Sequence, residues 1–247
     1  MSEPEYRRLS PLRIFGLVLT ILAFLCLILL GNWQVRRLHW KQDLLAAVED
    51  RLAKAPVSLA QIESLKAAGG EIEYRPVAVS GYFLHDQEKH FFATFNGQSG
   101  YYVYTPLKLD DGRFIFVNRG FVPFDMKAPS LRPEGQIDGR VTIDGLARDR
   151  LSTKPSFIVP DNDVEQNIYY WKDLDAMAAR SGLDREVVLP FFIDANDAKN
   201  PGGLPVGGVT RISFPNNHLQ YALTWYGLAV VLAAGVGILI FRRRRDD

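Results

Sequence analysis

The sequence predicts an α+β protein: two transmembrane helices flanking an antiparallel β-sheet or partly open barrel domain with peripheral helices. Three observations carry this prediction. Two apolar runs of membrane length stand towards the ends of the 247-residue chain. Between them lie short strand-like runs punctuated by turn residues. A few stretches with helical spacing border those runs.

The first apolar run, 14–30, holds 17 residues without a charge. Extended to 12–33 it reaches the roughly 30 Å of a bilayer core. It is longer than a signal-peptide core, and Gly31-Asn32-Trp33-Gln34 offers no small-x-small cleavage site, so it reads as a retained anchor. Val35, Leu38, Leu45, Val48 and Leu52 continue it as an amphipathic helix that Pro56 ends. Ser58 and Gln61 form a capping box for a short helix burying Ile62 and Leu65 and stopping at Gly69. Strands are expected over 74–83, 90–95, 101–109, 113–117, 141–147, 187–193 and 209–214. Asp111-Gly112 makes the clearest hairpin turn. Asp173 caps a helix carrying Leu174, Met177 and Ala178, closed by Gly182. Residues 201–208 are a Gly/Pro loop. The second run, 221–241, spans about 31 Å.

The expected organisation is therefore a tail at 1–11, a first span at 12–33, a domain at 34–217, a second span at 218–241 and a basic tail at 242–247. Seven basic residues stand on the tail side: Arg7, Arg8, Arg13 and Arg242 to Arg245. Four stand on the other: Arg36, Arg37, Lys41 and Arg211. Both termini are then expected in the cytoplasm and the domain across the membrane. The lone Cys26 lies in the first span, which excludes a disulfide framework and a cysteine metal clip. The short N-terminus carries Glu3 and Glu5, unlike a transit peptide. A bacterial inner (cell) membrane with a periplasmic domain is the simplest location. Residues 34–217 carry 22 Lys and Arg against 24 Asp and Glu, so no basic surplus favours nucleic acid.

No Gly-x-Ser-x-Gly elbow, Walker loop or Rossmann fingerprint is present. No catalytic residue is singled out, and a membrane-tethered hydrolase lacks a nucleophile–base pair at a recognised spacing. A two-span sensor would have only 242–247 as output, and copper delivery lacks thiolate ligands. His85 and His90, near Asp86 and Glu88, read as a solvated pair flanking a turn rather than a metal site. His39 with Arg36, Arg37 and Lys41 reads as headgroup contact. Tyr101, Tyr102, Tyr104, Phe114 and Phe116 read as packing on both faces of a hairpin rather than a binding face. In Asn118-Arg119-Gly120, Gly120 permits a bulge or a positive φ and Arg119 is expected to meet a carboxylate. Ala229, Ala233 and Gly237 recur every four residues, a spacing that lets helices approach closely. They pack either on the first span or on a partner's helix.

His218, Tyr221 and Trp225, at i, i+3 and i+7, share one face at the mouth of the second span. A polar, metal-competent group there costs stability unless something uses it, and aromatic neighbours suit the headgroup zone. Two readings stay open on these residues alone: an iron ligand, or an interfacial belt in which the imidazole caps or hydrogen-bonds.

Three blocks in series resemble the surfeit locus protein 1 family of cytochrome c oxidase assembly factors. The first is Gly31-Asn32-Trp33-Gln34-Val35-Arg36-Arg37-Leu38-His39-Trp40-Lys41. The second comprises Thr105-Pro106-Leu107, Asp111-Gly112 and Val117-Asn118-Arg119-Gly120-Phe121-Val122-Pro123. The third is Asn216-Asn217-His218-Leu219-Gln220-Tyr221-Ala222-Leu223-Thr224-Trp225. Order, spacing and the two-span frame match along nearly the whole chain. Phe121 departs from the family's usual tryptophan. The resemblance implies a non-catalytic factor that helps place haem a in the oxidase catalytic subunit. Its partners would be that subunit, the haem a synthesis machinery and membrane lipid. Carried onto this chain, His218 is the candidate axial ligand to haem iron. Trp33, Tyr221 and Trp225 would offer flat apolar surface, and Arg36, Arg37 or Arg211 would pair with propionates. A haem-free scaffold docked on the catalytic subunit is the alternative the resemblance leaves open.

Overall fold

The computed structural model describes residues 11–210 and 216–246. In order it contains α1 (Pro11–Leu52), β1 (Val57–Ser58), α2 (Leu59–Ala67), β2 (Arg75–Phe83), β3 (Lys89–Phe95), β4 (Gln98–Leu109), β5 (Phe114–Pro123), β6 (Arg140–Asp149), β7 (Ile168–Tyr169), α3 (Leu174–Arg180), β8 (Val188–Ala195) and α4 (His218–Asp246). By internal packing the chain divides into two units. One joins Met1–Ala47 with Ser213–Asp247, and the other is Val48–Ile212.

In the second unit, β2 pairs with β6, β6 with β8, β8 with β5, β5 with β4, and β4 returns to β2. The sheet therefore closes into a five-stranded barrel, which leaves no open edge within the ring. Closure rests on a short seam, where Gly81, Tyr82 and Phe83 meet Leu109, Lys108 and Leu107. Every pair in the ring is antiparallel except β5–β8. Strand alternation sends one side chain set inward. Val77, Val79, Leu107, Leu109, Ile115, Val117, Leu189, Phe191 and Ile193 fill the interior, with Ile62 of α2 among them. The other set of β4, β5 and β8 gives Tyr104, Phe116 and Phe192, which pack with Leu174 and Met177 of α3. The aromatic hairpin is thus packing on both faces: Tyr101, Tyr104 and Phe116 are all buried.

The predicted caps form. Ser58 Oγ accepts from Gln61 N while Gln61 Oε1 accepts from Ser58 N at 2.9 Å. Asp173 Oδ1 accepts from Ala176 N at 3.0 Å. The expected hairpin turn is closed by Gly112 N donating to Leu109 O at 3.0 Å. The strand expected over 209–214 is not formed at Val209 and Thr210, and the rest of it lies outside the described residues. Thr210 instead donates its hydroxyl to Asp194 at 2.8 Å.

In the first unit, α1 and α4 are both long and apolar enough to cross a membrane. Their outward surfaces are apolar, as at Leu22, Leu29, Val230 and Val231, which suits a lipid solvent. α4 buries Ala222 and Ala229, two turns apart, whereas Ala233 and Gly237 line an open apolar cleft of about 380 Å³ with Leu17, Phe24 and Ile240. Only the first member of the expected small-residue series is a close contact.

Candidate functional site at the helix pair

α4 begins at His218 because the two preceding asparagines supply what a helix start lacks. Asn216 Oδ1 accepts from His218 N at 3.4 Å, and Asn217 O accepts from Tyr221 N at 3.2 Å. That start holds the imidazole beside α1. His218 Nδ1 lies 2.7 Å from Gln34 Oε1, and Gln34 is buried. An amide oxygen can only accept, so Nδ1 carries a proton, and in the neutral imidazole Nε2 then keeps its lone pair. Among the described residues Nε2 has no hydrogen-bond partner. A second polar link joins the same two helices: Tyr226 hydroxyl donates to Asn32 Oδ1 at 2.7 Å. Gly31 permits the approach, since a Cβ there would lie 2.5 Å from Tyr226 Cε1.

Around this contact the other sequence-selected residues distribute unequally. Tyr221 is exposed and Trp225 half-buried on the same stretch of α4. Trp33, next to Gln34 on α1, is also exposed, as are Arg36 and Arg37. The Arg37 guanidinium sits 4.6 Å over the Trp40 ring. Arg211 lies outside the described residues. Sequence reasoning missed Gln34, Asn32 and Gly31 as functional contacts. The available signal was spacing: Gly31 and Gln34 stand at i and i+3, on one helix face.

The barrel unit carries its own buried polar cluster. Glu88 accepts from Arg132 and from His90 Nε2, the latter at 3.2 Å. Asn167 donates to His90 Nδ1 at 3.1 Å. Burial works to raise the Glu88 carboxyl, but these hydrogen bonds outweigh it and hold it below the usual range. His85 donates from Nε2 to Ile137 O at 3.0 Å and accepts at Nδ1 from Arg119. Burial, and more weakly the Arg119 charge, lowers its pKa. Two expectations are corrected here. His85 and His90 are not a solvated pair: His90 is 4% exposed and all four ring nitrogens are engaged. Arg119 meets no carboxylate; it donates to Gly135 O and His85 because the local acid, Glu88, is committed to Arg132. Among the described residues no group of three His, Cys, Asp or Glu side chains could hold a metal ion.

Gly120 takes φ +127 and lets Phe121 and Val206 exchange both backbone hydrogen bonds at 2.8 Å. Arg119 and Gly120 together oppose Val103, so the block holds the expected bulge.

Fold and site define a class: two candidate membrane-spanning helices flank a closed barrel, and an imidazole at one span's mouth is oriented by an amide on the other. The SURF1 family profile matches residues 21–230. Surfeit locus protein 1 of Rattus norvegicus is 40% identical over 232 residues, covering 87% of this chain and 71% of the relative. The Homo sapiens protein of the same name is 40% identical over 218 residues, with 81% and 69% covered. A SURF1-like protein of Monosiga brevicollis is 38% identical over 229 residues, with 87% and 83% covered. The chain belongs to the SURF1 family.

Proposed function

We propose that this protein is a non-catalytic assembly factor for haem-copper cytochrome c oxidase. It assists haem a insertion into the catalytic subunit by holding the haem transiently at the outer membrane–water boundary. The reading places the protein in a bacterial inner membrane, with both termini cytoplasmic and the barrel periplasmic. The catalytic subunit and the haem a synthesis machinery are its partners.

One observation carries the proposal: the His218–Gln34 hydrogen bond. Histidines that bind metals through one nitrogen commonly donate the other ring N–H to an oxygen, which fixes tautomer and orientation. His218 has that arrangement, and its Nε2 has no partner among the described residues. Haem a is the cargo, a flat amphiphile whose iron accepts an axial imidazole. Trp33, Tyr221 and Trp225 supply nearby ring surface, and Arg36 and Arg37 supply cations for propionates. A carrier must also release, so a hold near micromolar, about 8 kcal/mol, suits hand-over better than picomolar binding. His218→Ala, purified from a haem a-producing host, should lose its co-purified haem in the visible absorption spectrum. Unchanged haem content would eliminate His218 as ligand.

A second reading rests on the open cleft beside Ala233 and Gly237. Small residues without a close partner can receive a helix of another protein. On this reading the helix pair is a haem-free scaffold docked on the catalytic subunit. A crosslink from Gly237 to that subunit, in protein that carries no haem, would favour it over the carrier.

A further inference from the structure

Arg119 is only 2% exposed, yet among the described residues no carboxylate hydrogen-bonds to it; the Glu88 charge acts on it only through space and is already paired with Arg132. Its Nη2 donates to Gly135 O and its Nη1 to His85 Nδ1 at 3.2 Å. Its face lies 4.8 Å from the Phe83 ring centroid, and among the described residues its Nε has no hydrogen-bond partner. Each of these contacts is neutral. His85 accepts at Nδ1 and donates from Nε2, so its ring is neutral and supplies a lone pair but no counter-charge. A buried cation without a directly paired counter-ion is an expensive arrangement for a fold to keep.

Arg119 lines a cavity of about 300 Å³ in the barrel unit, between β2, β6 and the loop after β8. Lys199 also lines the cavity and has no ion pair among the described residues. Phe83, Ile137, Ile143 and Ala198 make much of the remaining surface apolar. A single acid, Asp144, also borders the space, which disfavours a ligand carrying two or more negative charges.

We propose that this cavity is a binding site for a small monocarboxylate with an apolar body. The carboxylate sits between Arg119 and Lys199, completing the guanidinium's unpaired Nε–H. The apolar body lies against Phe83 and Ile143. At about 30 Å³ per water-sized group, the space takes roughly ten non-hydrogen atoms, the size of a short-chain or aryl carboxylate. Inorganic phosphate would satisfy the cations but leave the apolar wall unused.

The test uses the full chain in nanodiscs of neutral lipid, with benzoate as probe and benzamide as its uncharged counterpart, by isothermal titration. Benzoate should bind one to one, at least tenfold tighter than benzamide, and inorganic phosphate should not displace it. Arg119 also ties Gly135 and His85, so the deciding variants lie at the exposed rim. Lys199→Gln should weaken benzoate several-fold and Ala198→Phe should abolish it, with circular dichroism unchanged. The proposal is overturned by equal affinity for benzoate and benzamide, by effective competition from phosphate, or by benzoate binding that Ala198→Phe leaves intact. It is overturned equally by no benzoate binding at concentrations on the order of 10 mM. None of these readouts involves haem or the oxidase, so the result stands apart from the carrier reading.

Discussion

An imidazole offers one lone pair when neutral, and the hydrogen bond on its other nitrogen decides where that lone pair points. Gln34 performs that service for His218 across the helix pair. On the proposed carrier reading, Gln34→Leu keeps the bulk and removes the acceptor, so haem affinity should fall about 10- to 100-fold while the protein still folds. Difference spectra titrated with haem would measure it, and wild-type affinity in the Leu variant would sever Gln34 from the site. Gly120 makes a different demand. Its φ is +127, and a Cβ would overlap the Val206 carbonyl. Gly120→Ala should therefore cost more than the usual Gly-to-Ala penalty, about 3 kcal/mol or beyond, because backbone strain and a backbone clash add. A urea-unfolding midpoint within error of wild type would refute the clash.

Elements differ in how openly they advertise themselves. The capping box at Ser58 and the Asp173 cap were legible because cap chemistry is local and needs few residues. The hairpin of β4 and β5 was legible for the same reason, though β5 runs on to Pro123, beyond the expected end at 117. Its extension past Asn118 depends on pairing with Tyr102 and Tyr101 of β4 across a bulge, which no local pattern announces. The helix pair is less legible still. A stripe of small residues was visible on α4, but only its first member, Ala229, meets a close neighbour, together with Ala222. A close approach outside that stripe is Gly31 against Tyr226. Gly31→Leu should push the helices apart at that level and break the Tyr226–Asn32 bond. A disulfide-trapping pair introduced at 27 and 229 should then crosslink more slowly than in the parent, and an unchanged rate would show that Gly31 sets no spacing.

At the scale of the whole molecule, buried titratable groups tie stability to pH. Burial holds the His85 pKa below its ordinary 6.5, so the folded chain binds its proton later than the unfolded chain. Stability is then lost as pH falls through and below about 6.5. For Glu88, burial opposes ionisation, but the bonds from His90 and Arg132 prevail and depress its pKa below 4.5. Its contribution is full above 4.5 and disappears as pH drops further. Exposed pairs such as Asp110–Arg140 add little. Urea midpoints of the full chain should decline in two stages on acidification, and His85→Gln should remove the upper one. A midpoint that stays flat from pH 7.5 to 5.5 would contradict the role given to His85.

By itself the sequence determined the two apolar helices, most strand positions, the caps and the histidine at the start of α4. Each of these follows from composition or spacing within one short stretch of chain, so it can be read without knowing what lies opposite. Tertiary structure alone decided that the sheet closes, through a three-residue seam between β2 and β4. It also decided that Arg119 faces neutral partners and a cavity, and that Gln34 rather than an aromatic ring meets His218. The physical reason is common to all three. Hydrogen bonds and charge pairs between segments up to 194 residues apart depend on which side chains the fold brings within 3 Å or so, and sequence periodicity carries no record of those distances.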